Sequence, residues 1–290
     1  MTRACACVET PELVSGVFFY CKDLPPPNSV KVEPINVRLY QLQTSPLTSF
    51  GCSSQTATWY DDRMRVEPFS VGSYVHVVKR GARGMPITVD EFDAWRFLRV
   101  LYYMNDKFLD IQWNRTVGNA NSFTRPESWP ERKPIVSILA YTLMPNHMHL
   151  LLKEVREGGI SAFMQKVGQS MTNHHNEKYA ERGSIFQGSY KSRTIEDSEY
   201  LQYVSAYIMA KNTFELYPRD GLRGATAHFD DAWKWAVAYP FSSLGNYANA
   251  KISRILDKDI LADVFSDKKQ FKKFCRDVIL GGKWLDAAFE

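Results

Sequence analysis

The pattern of apolar and polar positions changes character near residue 64. Before it, Thr44 to Ser54 is polar and turn-forming, and Pro25-Pro26-Pro27-Asn28-Ser29 punctuates like a linker. The short apolar piece Val14 to Tyr20 can form a strand, but nothing commits it to a core. From Met64 onward the periods become regular. Ser73 to Lys79 is a β-rich run ending at the turn Arg80 to Gly84. Asp90 to Asn105 carries Phe92, Trp95, Phe97, Leu98, Leu101 and Tyr102 at helical spacing, with Asp90 as N-cap or first-turn acid. Gly118 to Lys133 is a polar loop containing prolines. Pro134 to Met144 and His147 to Lys153 are two strands around the hairpin break Pro145-Asn146. Ile160 to Tyr179 is a second helix after Gly158-Gly159, and Ser184 to Thr194 a strand with a turn at Gln187-Gly188. Asp197 to Asn212 is a third long helix, Trp233 to Tyr247 is aromatic and loop-rich, and Ile252 to Leu280 holds short helices carrying Lys268, Lys269, Lys272, Lys273 and Arg276.

Strand, helix, strand, strand, helix, strand, helix is the split βαβ order of a ferredoxin-like α+β domain. The expected fold is one antiparallel sheet with helices on one face, the 147–153 strand central and the Asp197 to Asn212 helix packed nearby. No period of roughly 20 to 50 residues recurs, which excludes a repeat fold. Three parts are expected: a poorly structured extension over 1–63, a main domain over 64–250 and a short helical tail over 251–290.

Composition narrows the class without naming it. The 290 residues are 44% hydrophobic and 23% charged, ordinary globular usage that excludes wholesale disorder. No run approaches the roughly 20 apolar residues of a membrane span. There are 36 basic and 32 acidic residues, a net +4; residues 1–63 contribute five basic against six acidic, so the balance on the rest is +5. That tilt permits a nucleic-acid partner without demanding one. Cys5, Cys7, Cys21 and Cys52 all lie in the first 63 residues, with only Cys275 beyond. Their spacing fits neither a zinc site nor a disulfide framework, and Met1 to Thr10 lacks the apolar core of a signal peptide. A reducing cytosolic setting follows as the default. Met64 reads as the natural start or as the end of a loosely attached extension.

Three constellations carry chemistry. His147 and His149, at i and i+2 on a strand, project to one face, where two imidazoles can converge on a divalent metal; Pro145 puts them at the strand's start. A bare H-x-H equally describes two polar residues on a half-exposed strand. Tyr200, Tyr203 and Tyr207 share a helix face, as a core stripe or with one tyrosine turned towards the histidines. A phenol, with a pKa near 10, needs a metal, cation or base to act as a nucleophile; Lys211 follows Tyr207 by four residues. Gly183 to Arg193 interleaves aromatics with Lys191, Arg193 and Gly188, which suits phosphates and stacked bases, or else is a solvated strand. Lys79, Arg80 and Arg83 form a similar patch on the first turn.

Together these stretches resemble a known family. Tyr141 to Leu152 (YTLMPNHMHLLL) looks like the HUH motif of single-tyrosine transposases, close to the REP-associated tyrosine transposases and their relatives in small insertion sequences. Phe186 to Ser192, Glu199 to Asn212, Ala238 to Tyr247 and Tyr74 to Gly81 match further blocks in the same order, so the resemblance covers about residues 64–250. It implies a bacterial, DNA-associated enzyme that cleaves and rejoins single-stranded, hairpin-associated DNA. Tyr207 would attack the scissile phosphate and leave a 5′-phosphotyrosine link and a free 3′-hydroxyl. His147 and His149 would hold Mg²⁺ or Mn²⁺. Lys79, Arg80, Arg83, Gln187, Tyr190, Lys191, Arg193 and Lys211 are the expected DNA contacts. The family often places Asn-Pro four residues after the nucleophile; here Lys211 stands there, with Asn212 at i+5 and Thr213 in place of Pro. Either a one-residue bulge brings Asn212 round as third ligand, or the ligand comes from elsewhere, with His76 the first candidate and His174 and His175 behind it. Two other functions remain open: a hairpin-binding descendant that no longer cleaves, and a hydrolytic metalloenzyme using H-x-H. Single-stranded or hairpin DNA is the expected partner, no membrane is, and the choice between monomer and homodimer stays open.

Overall fold

The structure, a computed structural model, describes residues 69–118, 123–249 and 251–281. The expectations for the 1–63 extension, its four cysteines and the boundary at Met64 lie outside the described residues. Strand β1 (Tyr74–Arg80) leads to α1 (Glu91–Tyr103) and the short α2 (Trp113–Thr116), then β2 (Val136–Met144) and β3 (His147–Glu154). Helix α3 (Gly159–Tyr179) crosses to β4 (Lys191–Ile195). The chain continues through α4 (Ser198–Ala206), a π turn (Tyr207–Lys211), α5 (Asn212–Glu215), α6 (Gly221–Ala227), α7 (Phe229–Ala238), α8 (Leu244–Ala248), α9 (Leu261–Val264) and α10 (Lys268–Leu280). The four strands form one antiparallel sheet in the order β2-β3-β1-β4. The first crossover skips the position beside β1, which β3 then fills, and the second returns β4 to the other side of β1, which is the split βαβ arrangement.

The helices cover both faces of this sheet, which corrects the expectation of one covered face. The reason lies in β2 and β3. All nine positions of β2 are buried, and β3 is buried except at Lys153. Val75, Val77, Met148, Leu150 and Leu152 pack on one side with Phe97 and Leu101 of α1 and Phe163 and Val167 of α3. Leu139, Leu151 and Ile195 pack on the other with Leu201, Val204, Ile208 and Phe214. Leaving such a face bare would forfeit about 1.5 to 3 kcal/mol for each large apolar side chain. Helix α10 buries Phe271, Cys275, Val278 and Ile279 in that second core, so residues 251–281 pack with the domain rather than trailing from it. The stretch read as loop-rich, Trp233 to Tyr247, takes in the second half of α7, whose Phe229, Ala232, Trp233 and Ala236 make a helical stripe. The strand expected over Ser184 to Thr194 is confined to β4; Phe186 is joined to Gly81 by an isolated bridge.

The two crossover helices are clamped by one buried carboxylate. Asp90 caps α1 by accepting the Asp93 N–H. Asp93 itself accepts from the Val89 N–H, the Lys178 ammonium, the Tyr179 hydroxyl and Nε2 of His174. Burial opposes ionisation, but the bonds from Lys178, Val89, His174 and Tyr179 outweigh it and hold this carboxyl well below the usual carboxylate range. Its contribution is present above the unfolded carboxyl pKa of about 4 and is lost as the pH falls through the lower folded value. Asp93→Ala should cost about 3 kcal/mol, which lowers the melting temperature at pH 7 by roughly 6 to 12 °C. Thermal melts at pH 7 and in acid check it; an unchanged melt at pH 7 removes the clamp from the account.

Candidate active site

The face of the sheet under α4 and the π turn carries the sequence's chemistry. In register, Thr142, His149, Val78 and Lys191 form one row across all four strands, and His76 and Arg193 face each other in the next. Because β3 alternates, His147 and His149 both point to this face and Met148 to the opposite core. The turn that starts β3 is held by main-chain bonds: Gly81 N–H donates to the Asn146 carbonyl and Ile87 N–H to the Pro145 carbonyl. Gly81 has to be glycine there, since a Cβ would stand 2.1 Å from the Met85 carbonyl oxygen.

The imidazoles have fixed orientations. Nδ1 of His147 lies 2.6 Å from Oδ1 of Asn146, an acceptor, so this nitrogen carries the proton and donates. Nδ1 of His149 lies 3.0 Å from Nε2 of His76. His147 and His149 ring centroids are 4.9 Å apart. Nε2 of both is buried. The Tyr207 ring stands 5.6 Å from that of His149 and 5.9 Å from that of His76, edge-on to each. Tyr207, His149 and Asn212 are each 0% exposed. Of the three helix tyrosines, Tyr207 meets His76 and His149, whereas Tyr203 packs on Phe274 and Tyr200 lies beneath Arg193.

The π turn explains how Asn212 shares the face of Tyr207. In an α-helix, five residues end about 140° past a full turn. Here the Asn212 N–H donates to the Tyr207 carbonyl, an i to i+5 bond, and the extra residue brings position 212 back beneath 207. Such a turn disturbs the carbonyl ladder, and hydroxyls repair it. Thr142 Oγ1 donates to the Ile208 carbonyl at 2.6 Å. Thr213 Oγ1 and Ser242 Oγ donate to that of Met209. Thr142 is the cross-strand neighbour of His149, so the same residue sets the helix against the histidine. Thr142→Val should cost about 1 to 2 kcal/mol by stranding that carbonyl. The check is a urea melt; a variant as stable as wild type removes Thr142 from this role.

The expected DNA contacts divide into groups. Lys191 and Arg193 share the histidine face on the exposed edge strand, and Arg80 pairs with His147 in register. Arg83 is exposed in a 3-10 turn with φ of 56°, and Gln187 is exposed with its N–H on the Arg80 carbonyl. Lys79 points the other way, into a groove beside α3; there its Nζ donates to the Gly188 carbonyl, and burial lowers its pKa. Tyr190 packs on that side too, its hydroxyl 3.1 Å from Ser161 Oγ. Lys211 is buried, with Nζ 4.7 Å from the Tyr207 ring centroid and 2.7 Å from Glu215. His174 and His175 sit on α3 with Asp93 and Glu181 as partners, away from the pair.

Among the described residues no three His, Cys, Asp or Glu side chains form a group able to hold a metal. A metal held by His147 and His149 would need a further ligand of another type, and Asn212 is a candidate side chain. It is fully buried, and neither its Oδ1 nor its Nδ2 has a hydrogen-bond partner among the described residues. Two imidazoles and an amide oxygen form a donor set suited to a divalent ion. Sequence reasoning missed Thr142 and Ser242 as supports of the π turn; their only signal was their place in blocks that resemble the family.

Residues 131–211 match the family model described as "Transposase IS200 like". The resemblance read from the sequence is thus shown over a stretch that includes His147, His149 and Tyr207 and stops one residue before Asn212. None of the curated proteins matches the chain at a significant level. A solved structure of a REP-associated tyrosine transposase bound to a REP hairpin is similar at 15% identity and a TM-score of 0.37, over 68% of this chain and 92% of that one. No helix among the described residues is long and apolar enough to cross a membrane.

Proposed function

We propose that this chain is a metal-dependent tyrosine transposase, cutting and rejoining single-stranded, hairpin-associated DNA through a 5′-phosphotyrosine on Tyr207. The observation that carries the reading is the Tyr207 ring against that of His149, which in turn meets His147 on the same sheet face, with Asn212 brought beneath Tyr207 by the π turn. In the forward step Tyr207 Oη bonds to the scissile phosphorus, the bond to the 3′ oxygen breaks, the phenol proton leaves and the 3′ oxygen takes one up. The reverse step, attack by a 3′-hydroxyl on the phosphotyrosine, rejoins the strand without a nucleotide cofactor.

His147, His149 and Asn212 would hold Mg²⁺ or Mn²⁺, which when bound polarises a non-bridging phosphate oxygen and offsets its developing charge. The histidines are prepared for this by their neighbours. His147 donates its Nδ1–H to Asn146 Oδ1, and His149 must donate its own Nδ1–H to His76 if its Nε2 is to be a ligand. That assignment uses Nε2 of His76 as an acceptor and makes His76 a positioning residue rather than a third ligand. The Lys211 ammonium, paired with Glu215, stands over the Tyr207 ring. Arg80, Lys191 and Arg193 lie on the same face and suit backbone phosphates, and Arg83 and Gln187 extend that surface.

Tyr207 is fully buried, so a phosphate reaches it only after a rearrangement that exposes its hydroxyl. The same burial favours a second reading, a hairpin-binding protein that does not cleave. The deciding experiment incubates the protein with hairpin-bearing single strands and Mg²⁺ or Mn²⁺, then seeks a covalent adduct on a denaturing gel. An adduct supports the first reading. Protein that shifts the hairpin on a native gel yet yields no adduct supports the second.

A further inference from the structure

A second polar surface lies on the opposite side of the sheet, where the mechanism above uses nothing. Ser161, Gln165, Gln169 and Asn173 recur every four residues along α3 and form one ridge of exposed positions that winds about 120° round the helix. Residues 183–190 run alongside. The two are tied at both ends: Ser161 Oγ lies 3.1 Å from the Tyr190 hydroxyl, and Asn176 Nδ2 donates to the Gly183 carbonyl at 2.9 Å. Between these ties, about 22 Å apart along the helix, is a groove of about 400 Å³. Its floor is Lys79, Met164, Gly168 and Phe186, and its rim is Gln165, Gln169, Thr172, Asn173 and Ser184.

Lys79 is the unusual member. It comes from β1, is 8% exposed and lies flat beneath α3 because position 168 is glycine; a Cβ there would stand 3.1 Å from Lys79 Cε. Its Nζ sits 4.7 Å above the Phe186 ring and gives one hydrogen bond, to the Gly188 carbonyl. An ammonium has three donors, and no carboxylate lines this groove to balance its charge. The rim amides Gln165, Gln169 and Asn173 are exposed and offer paired donors and acceptors. Groups that present a donor and an acceptor side by side match the edge of a nucleobase, and a lysine matches its ring nitrogen and carbonyl acceptors. A base already paired has spent that edge on its partner.

We propose that the groove between α3 and residues 183–190 receives an unpaired nucleotide of the DNA strand, its base edge read by Gln165, Gln169 and Asn173 and its acceptor atoms by Lys79. This rests on the nucleic-acid reading above and adds a specificity subsite remote from Tyr207. The Lys79 Nζ donor and the amide row face the same space, which no other segment of the described residues fills.

The test measures binding of the full chain to labelled hairpins by fluorescence anisotropy. The hairpins carry no flank, or a single-stranded flank of all dA, dC, dG or dT. Wild type is expected to favour one flank. Gln169→Ala and Asn173→Ala, both at exposed positions, should each weaken binding to that flank about tenfold and compress the spread among the four, leaving the flankless hairpin within about twofold. Lys79→Met should do the same, with a thermal melt to confirm folding. The proposal is overturned if wild type does not distinguish the flanks, or if both amide variants distinguish them as wild type does. Adduct formation at Tyr207 is scored separately: loss of flank preference without any adduct keeps the groove and removes cleavage, whereas an adduct with unchanged preference removes the groove alone.

Discussion

Tyr207→Phe is expected to abolish the covalent protein–DNA adduct, by at least about a thousandfold, in a protein that remains folded. The size of the effect follows from the role. The phenol oxygen forms the new bond to phosphorus, and no general acid or base elsewhere can supply that atom. The small structural effect follows from the packing. Phe keeps the ring that meets His149 at 5.6 Å and His76 at 5.9 Å and that lies beneath the Lys211 ammonium. Losing one hydroxyl costs about 1 kcal/mol, or roughly 2 to 4 °C in melting temperature. Tyr203→Phe is the matched control. Its ring packs on Phe274, so that variant should form adduct at the wild-type rate. A Tyr207→Phe protein that forms adduct as readily as wild type would sink the assignment, and Tyr203 would be examined next.

What could be read in advance divides by range. The histidine pair was readable because a strand alternates with period two and Pro145 ends the preceding strand, both local facts. Helix α1 begins one residue after Asp90 because that carboxylate caps it, again a local signal. The second covered face was not readable. A strand buried on both sides is a continuous apolar run, and nothing in VSILAYTLM says what lies above or below it. The position of Asn212 fell between these cases. Its i+5 spacing from Tyr207 is plain, but whether the helix bulges there depends on Thr142, 66 residues away, and Ser242, 33 residues from Met209. Hydroxyls that reach a carbonyl across that much chain leave no periodic trace. His76 is a candidate beside it, with its Nε2 3.0 Å from Nδ1 of His149.

Asn212→Ala should abolish most of the stability that wild type gains from Mn²⁺, while leaving the metal-free protein about as stable as before. The two halves have separate causes. Without metal, the Asn212 amide is a buried polar group without a partner among the described residues, a condition that costs about 1 to 3 kcal/mol. Truncation removes that cost and leaves a small cavity that costs a comparable amount, so the terms nearly cancel. With metal at about a hundredfold over its dissociation constant, wild type should gain about 2.7 kcal/mol, a rise of roughly 5 to 11 °C. The variant has lost a ligand and should show little of this rise, as should His147→Ala. His76→Ala tests the alternative. As a positioning residue, His76 should weaken metal binding without removing it, so its rise returns at higher Mn²⁺ concentration. If Asn212→Ala keeps the full rise and His76→Ala loses it at every concentration, the third ligand is His76 and the π turn has another purpose. If wild type shows no rise, the site holds no metal, and Tyr207 would have to act with Lys211 and the surface cations alone. The melts need no DNA and no turnover, so they test the metal site independently of the nucleophile.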